Sequence, residues 1–396
     1  MTHVTAAAVT AWSPTWSSRV RERGTTMTHH IVVLGAGYAG LTAARRAARL
    51  LRGSDVRLTL VNRSERFVER VRLHQLAARG IPPGQSLFRA LAGSGVEFVV
   101  GEVAEVDAEA RAVTLVDGRG SLTYDSLVYA LGSAADLDAV PGLREHGFAV
   151  ADAEGAGRLR ARLDELPGGA VVVVVGAGPT GVEVAAELAE ARPDLSVELV
   201  TRSELGGGLS PGARRHLRRT FARLGVGVRE HQRVTAVERD GVVTAEGARL
   251  ACTALVWAGG FRVPSPAARS ALRTDERGRL VVDGRLRSVS HPEVYGVGDS
   301  ASAATVTGGE TRMSCQAALP MGRYVAVDLA RTLRGRRSGR PARIRDLGLD
   351  VALGRRNAVV QLFRGGGRPV GAVLTGRPAA WIKHRVVRAA AWLAGA

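Results

Sequence analysis

The sequence predicts an α/β fold of two parallel-sheet units, the second inserted into the first, with a small basic region after them. Three observations carry this. The run Ile31-Val32-Val33-Leu34 leads into Gly35-Ala36-Gly37-Tyr38-Ala39-Gly40 and then an alanine-rich stretch over 41–51. The same plan returns 141 positions later, where Val171 to Val175 is followed by Gly176-Ala177-Gly178-Pro179-Thr180-Gly181-Val182-Glu183 and a second alanine-rich stretch over 184–191. Finally, Val294-Tyr295-Gly296-Val297-Gly298-Asp299 reads as another apolar strand, ending in glycine and aspartate.

The spacing of the glycines has a physical meaning. The first makes the tight turn after the strand, and the second lets backbone N–H groups approach a pyrophosphate. The third lets the helix pack close to the strand, so that its N-terminus faces the anion. One such motif says little in a chain with 49 glycines. Two copies, each in strand–turn–helix context, specify two Rossmann-like dinucleotide-binding domains.

At 396 residues, with 45% hydrophobic and 23% charged residues, the chain is long enough for two to three domains with their own cores. No apolar stretch reaches the roughly 20 residues that a spanning helix needs. Residues 1–26 are rich in small and polar residues and lack the apolar core of a signal peptide. Met1-Thr2-His3 recurs as Met27-Thr28-His29, so 1–26 reads as a disordered extension or a misplaced start. The two cysteines, Cys252 and Cys315, form no C-x-x-C pair. They imply a reducing cytoplasm and speak against a dithiol-relay reductase.

The net charge of +18 is uneven: residues 331–396 hold 15 Lys/Arg and two Asp, or +13. Lys383 is the single lysine against 54 arginines, a bias that reflects codon usage as much as function. An anionic membrane surface, an acidic partner and a simply solvated basic surface all fit such a region. Nucleic acid is not expected, because no aromatic-basic interleaving or recognition motif accompanies the charge.

Along the chain, 56–61 reads as a second strand ending at Asn62-Arg63, followed by a segment at 66–78. A helix is expected near 86–91 and a strand at 96–100. Alternating segments over 103–116 and 124–130 read as a small antiparallel meander, closing in Ala130-Leu131-Gly132. The stretch 151–155 and a helix to 166 lead into the second glycine motif. That unit continues with a strand at 197–200, a loop over 204–211, a helix over 212–224, and an apolar strand ending in Gly259-Gly260. The expected divisions are 27–145 and 272–335 for the first nucleotide domain, 146–271 for the second, and 336–396 for a basic region carrying an amphipathic helix.

A chain that starts one nucleotide domain, passes through a second and returns with Gly298-Asp299 resembles the two-dinucleotide, glutathione-reductase-like flavoproteins. Within them it is most similar to the type II NADH dehydrogenases and their FAD-dependent pyridine nucleotide oxidoreductase relatives. The segments Leu73-His74-Gln75-Leu76-Ala77 and Cys315-Gln316-Ala317-Ala318-Leu319 add to the likeness, which covers about residues 30–330, with a weaker echo at 353–360.

The resemblance implies FAD in the first domain, held by Gly35, Ala36, Gly37, Tyr38, Ala39, Gly40, Asn62, Arg63, Val103, Ala130, Gly132, Gly298, Asp299, Gln316 and Ala317. Asn62 stands where relatives usually carry an acid for the adenosine ribose. The resemblance also implies NAD(P)H at Gly176, Gly178, Pro179, Thr180, Gly181, Glu183, Arg202 and Gly259. Glu183 and Gln316 are the expected catalytic residues: Glu183 orients the nicotinamide ring, and Gln316 with Ala317 begins a helix aimed at the flavin pyrimidine edge. Thr201-Arg202 replaces the acid expected for NADH, so Arg202 suits a 2′-phosphate, or is a solvated arginine. Phe67, His74 and Gln75 lie in the segment that walls the flavin pocket in relatives. Cys315 and Pro320 depart from the quinone-lining pattern of the family. No metal is expected.

Ile382, Val386, Ala389 and Leu393 fall on one stripe of a final helix, flanked by Trp381, Trp392 and basic residues. Such a helix either lies in a membrane interface or packs on its own domain or a dimer partner. The expected activity is hydride transfer from NAD(P)H to FAD and onward to a quinone-like acceptor. The alternatives are a redox sensor resembling apoptosis-inducing factor and a flavin reductase feeding a partner protein.

Overall fold

The computed structural model describes residues 28–395 except 83, 117–119 and 338, so the extension expected at 1–26 lies outside the described residues. The chain opens with β1 (His29–Leu34), turns through the first glycine motif into α1 (Tyr38–Leu50), and returns as β2 (Val56–Asn62). A short helix α2 (Leu73–Arg79) precedes β3 (Glu97–Val100), and a three-stranded antiparallel meander between residues 103 and 123 precedes β4 (Ser126–Tyr129). Here the structure corrects the sequence reading. The segment expected to close the meander is instead a central strand that pairs parallel with β1, Ile31 opposite Ser126. Its four residues are all buried, as a strand covered on both faces requires.

The second unit runs β5 (Gly147–Ala149), α3 (Ala153–Asp164), β6 (Val171–Val175), α4 (Pro179–Ala191), β7 (Ser196–Val200), α5 (Pro211–Leu224), β8 (Gly227–Arg229) and β9 (Ala254–Trp257). The chain then returns as β10 (Val294–Gly296) and enters α6 (Cys315–Leu333). The two resulting sheets are both five-stranded and fully parallel, in the orders β10-β4-β1-β2-β3 and β5-β9-β6-β7-β8. Strand β10 comes from the far side of the second unit, so the fold is α/β with the second nucleotide unit inserted in the first. Helix α6 packs along α1, and Gly322 lies so close to the Ala39 carbonyl that a Cβ would not fit.

The basic C-terminal region has more structure than its sequence suggested. It forms an antiparallel sheet of β11 (Gly348–Ala352), β12 (Ala358–Arg364) and β13 (Arg368–Thr375), followed by α7 (Gly376–Ala394). This region joins both units. Val351, Leu353 and Val359 belong to the core of the second, while Ala390 and Ala394 belong to the core of the first. Arg45 of α1 donates to the Gly395 carbonyl. The packed face of α7 is the small-residue face with Lys383, not the expected apolar stripe. Val386, Ala389 and Leu393 are exposed, as are Trp381 and Trp392, at 61% and 75%.

The two glycine motifs fold alike, and for the reasons their spacing suggested. Gly35 and Gly176 have φ of +94° and +110° and lie against the carbonyls of Ala130 and Ala258. A Cβ on Gly40 or Gly181 would strike the carbonyl of Gly35 or Gly176, whereas Gly37 and Gly178 face open space. Gly40→Ala and Gly181→Ala should therefore each lower stability by about 1–3 kcal/mol, read as a drop in thermal midpoint. Gly37→Ala should leave the midpoint unchanged; equal drops at all three positions would contradict this division of roles.

Candidate functional site

Both glycine helices are left open at their N-termini. Helix α3 is capped by Asp152, α5 by Ser210 and α6 by Ser314, each accepting a backbone N–H. Helices α1 and α4 begin at Gly37 and Gly178 with no side-chain cap. Their orphan N–H groups meet the open space beside those glycines, the arrangement that receives a phosphate group.

Around the first motif, the residues present fit a flavin dinucleotide. Gly298, at φ +71°, packs against Ala39, which brings Asp299 beside the first turn of α1. Ser133 donates to Asp299 Oδ2 at 2.7 Å, and Arg70 Nη1 lies 3.5 Å from the same oxygen. Tyr38 stacks edge-on against buried Phe67 at 5.2 Å, with its hydroxyl buried and without a hydrogen-bond partner. Ala36, Ala39, Ala130 and Ala317 are buried around this corner, and Gly132 turns at φ +67° beside Arg70. Val103, on the first strand of the meander, packs against the core cluster that contains Val32 and Leu34 of β1.

Three of the expected residues also have partners within the protein. Asn62 Oδ1 accepts from the Ala36 N–H at 2.9 Å and its Nδ2 donates to the Ser64 carbonyl at 2.7 Å, so this side chain braces the glycine turn. Arg63 pairs with Asp152 at 3.3 Å, bridging to α3. Gln316 Oε1 accepts from the Leu347 N–H at 3.0 Å, tying α6 to the approach to β11.

The second motif opens on a cavity of about 200 Å³, walled by Gly178, Pro179 and Val182 on one side and by Leu349, Val351 and Phe363 on the other. The C-terminal sheet thus closes over the second glycine helix. Thr180 lies in the first turn of α4 and Gly259 follows β9, while Arg202 is exposed at the end of β7 and makes no ion pair among the described residues.

Glu183 is engaged with the C-terminal region. Its carboxylate is buried and turned toward the C-terminal region: Lys383 Nζ lies 2.7 Å away, Ala352 N–H donates at 2.9 Å, and His74 Nδ1 stands at 3.7 Å. Burial alone would raise the Glu183 pKa, but Lys383, His74 and the Ala352 N–H outweigh it and hold the carboxyl below its usual value. Burial would likewise discharge Lys383, yet Glu183 and Asp350 keep its pKa raised. His74 is pushed down, chiefly by burial, and its Nε2 has no hydrogen-bond partner. Helix α2, which carries His74, is fixed to α4 by Arg79, whose guanidinium reaches Glu187 at 2.5 Å and Glu190 at 2.6 Å.

This cluster backs a cavity of about 220 Å³ between α2, the turn after β11 and α7, lined among others by His74, Gln75, Arg355 and Lys383. Sequence reasoning missed Lys383, Asp350, Arg70 and Arg355. One signal was present: the chain keeps a single lysine among its arginines, at the place where a compact ammonium fits between two carboxylates. Cys315, partly buried at the start of α6, has its thiol pushed up to about 11, chiefly by burial. Cys252 packs with the second unit and Cys315 with the first, and both are free.

The model of the pyridine nucleotide-disulphide oxidoreductase family matches residues 29–322. The chain belongs to this family. A related NADH dehydrogenase-like protein from Mycobacterium tuberculosis is 37% identical over 326 residues, 76% of this chain and 80% of the relative. The demethylphylloquinone reductase of Synechocystis is 28% identical over 385 residues, 90% of each chain. The fold is also that of a sulfide:quinone oxidoreductase from Aquifex aeolicus, with a TM-score of 0.77 at 19% identity, over 93% of this chain and 91% of that one. As a member of the pyridine nucleotide-disulphide oxidoreductases, the chain is an NADH dehydrogenase-like flavoprotein oxidoreductase.

Breaking the buried pair from one side should be costly. Lys383→Met and Glu183→Leu should each destabilise the protein by about 3–5 kcal/mol in urea denaturation. The double variant should cost clearly less than the two together; additive costs would mean that the two side chains do not depend on each other.

Proposed function

We propose that the protein transfers hydride from NAD(P)H to FAD and passes the electrons to a quinone-like small molecule. The observation that carries this reading is the cavity between α2, the turn after β11 and α7, beside the His74–Glu183–Lys383 cluster and lined by no cysteine among the described residues. Isolated thiols leave no dithiol to relay electrons, so the acceptor takes them from the flavin directly. The relatives named for NADH and for demethylphylloquinone support the same reading.

In this mechanism Gly35, Gly37 and Gly40 would hold the pyrophosphate of FAD, with Asp299, Ser133 and Arg70 beside it. Gly176, Gly178 and Gly181 would hold that of NAD(P)H. Bound flavin supplies a centre that takes up a hydride and gives up two electrons. Around it, the chain orients the rings and manages protons. Lys383 Nζ carries a proton at the cavity wall, and Glu183 keeps that ammonium charged. His74 Nε2 offers a hydrogen-bonding group to an acceptor oxygen.

We further propose that NADPH serves at least as well as NADH, because exposed Arg202 offers a 2′-phosphate a cation where an acid would repel it. Stopped-flow reduction with each donor, followed by reoxidation with quinones, ferricyanide and oxygen, tests the activity. Arg202→Glu should shift the ratio of kcat/KM values toward NADH by roughly tenfold, about 1.4 kcal/mol. An unmoved ratio would leave Arg202 a surface charge, and slow reduction with no quinone turnover would favour a redox sensor.

Among the described residues, no helix is long and apolar enough to cross a membrane. The outward stripe of α7, with Trp381, Val386, Trp392 and Leu393 exposed beside Arg385 and Arg388, is suited to rest in an anionic interface, the inner face of the cell membrane being the natural one. Each cation there contributes about 1 kcal/mol. Because α7 also supplies Lys383, substitution tests this better than truncation. Trp381→Ser with Trp392→Ser should abolish pelleting with anionic vesicles, which high salt should also weaken. Equal pelleting with neutral vesicles, or no loss in the variant, would contradict it.

A further inference from the structure

From the cavity between α2 and α7 we infer that the electron acceptor carries an ionised acidic group beside its reducible ring, as an anionic quinone does. This rests on the quinone-type reading and specifies the substrate class. The walls contain Arg72, His74, Arg355, Lys383, His384 and Arg388, and no Asp or Glu lines them. Two of these cations are already engaged: Arg72 by Glu69 at 3.1 Å, and Lys383 by Glu183 at 2.7 Å. Arg355 and Arg388 make no ion pair among the described residues, and Arg355 Nη1 is buried with no hydrogen-bond partner.

Arg355 and His74 both line this space, and each carries a buried nitrogen with no hydrogen-bond partner. A buried guanidinium N–H without an acceptor is costly, and it is relieved by an oxygen anion more completely than by a neutral carbonyl. His74 is 5% exposed, with Nε2 equally unpartnered; as an Nε2–H tautomer it donates to the ring oxygen. Exposed His384 and Arg388 stand on the α7 side of the cavity, where they attract an anion approaching from solvent. A site for a plain neutral quinone needs none of this unpaired charge.

The reaction balances without the substituent taking part. NAD(P)H gives up a hydride, and the acceptor gains two electrons and two protons to become a hydroquinone. One proton derives from the hydride and one from solvent, and the acidic group keeps its charge throughout.

The test uses the flavin-loaded protein with NADH and two acceptors, 1,4-naphthoquinone and 1,4-naphthoquinone-2-sulfonate. Their different driving forces cancel when the sulfonate-to-unsubstituted ratio of kcat/KM is compared between proteins. That ratio should fall roughly tenfold in Arg355→Gln and in the exposed Arg388→Gln, and the wild-type ratio should fall as salt is added. Equilibrium dialysis of the sulfonate against the oxidised protein should show the same loss of affinity in both variants. An unchanged ratio together with unchanged dialysis would overturn the inference. If the wild type binds the sulfonate through these arginines but reduces neither quinone, the anion site stands and the quinone reading fails.

Discussion

The structure depends on one buried ion pair. Glu183 belongs to the helix that opens the second nucleotide unit, and Lys383 to the last helix of the chain, yet their charged atoms lie 2.7 Å apart with the side chains only 10% and 11% exposed. Neither charge could be buried alone, because the desolvation penalty is several kcal/mol per ion. Each side therefore holds the other in place, and the Ala352 N–H and the Asp350 carbonyl complete the set of hydrogen bonds. Because α7 also anchors Ala390 and Ala394 in the core of the first unit, the pair fixes the C-terminal region across both nucleotide units. The cavity beside it exists only because that region is docked.

The frame beneath was legible in the residues, since glycine geometry leaves little freedom. Gly35 and Gly176 must take positive φ, and Gly40 and Gly181 must lack a Cβ, so both strand–turn–helix units could be read from spacing. The return strand ending in Gly298-Asp299 showed the insertion for the same reason. Ser126–Tyr129 reads as part of the meander, although the apolar run Leu127-Val128-Tyr129-Ala130 fits a strand covered on both faces better than a half-exposed one.

The candidate site was legible only in part, because what decides it is tertiary. The position of Glu183 followed from the motif, but the direction of its carboxylate depends on a lysine 200 residues later. Strands β11 to β13 escaped notice because their exposure alternates irregularly and polar residues interrupt them. In α7 the apolar stripe drew attention, while the face that packs is made of alanines, whose small size lets the helix lie close to its neighbours. Asn62 and Gln316 also accept from backbone N–H groups, a bracing role that local sequence does not reveal.

Lys383 and α7 belong to the acceptor's side of the site, whereas the nicotinamide side is formed by the glycine helix of the second unit and the C-terminal sheet that closes over it. Rapid-mixing kinetics on flavin-loaded Lys383→Met separates the two. The rate of flavin reduction by NADH should stay close to that of the wild type, while the rate of reoxidation by a naphthoquinone should fall by roughly tenfold or more, the size expected for a lost proton-bearing group. Equal slowing of both steps, or of neither, would contradict the assignment of Lys383 to the acceptor's cavity.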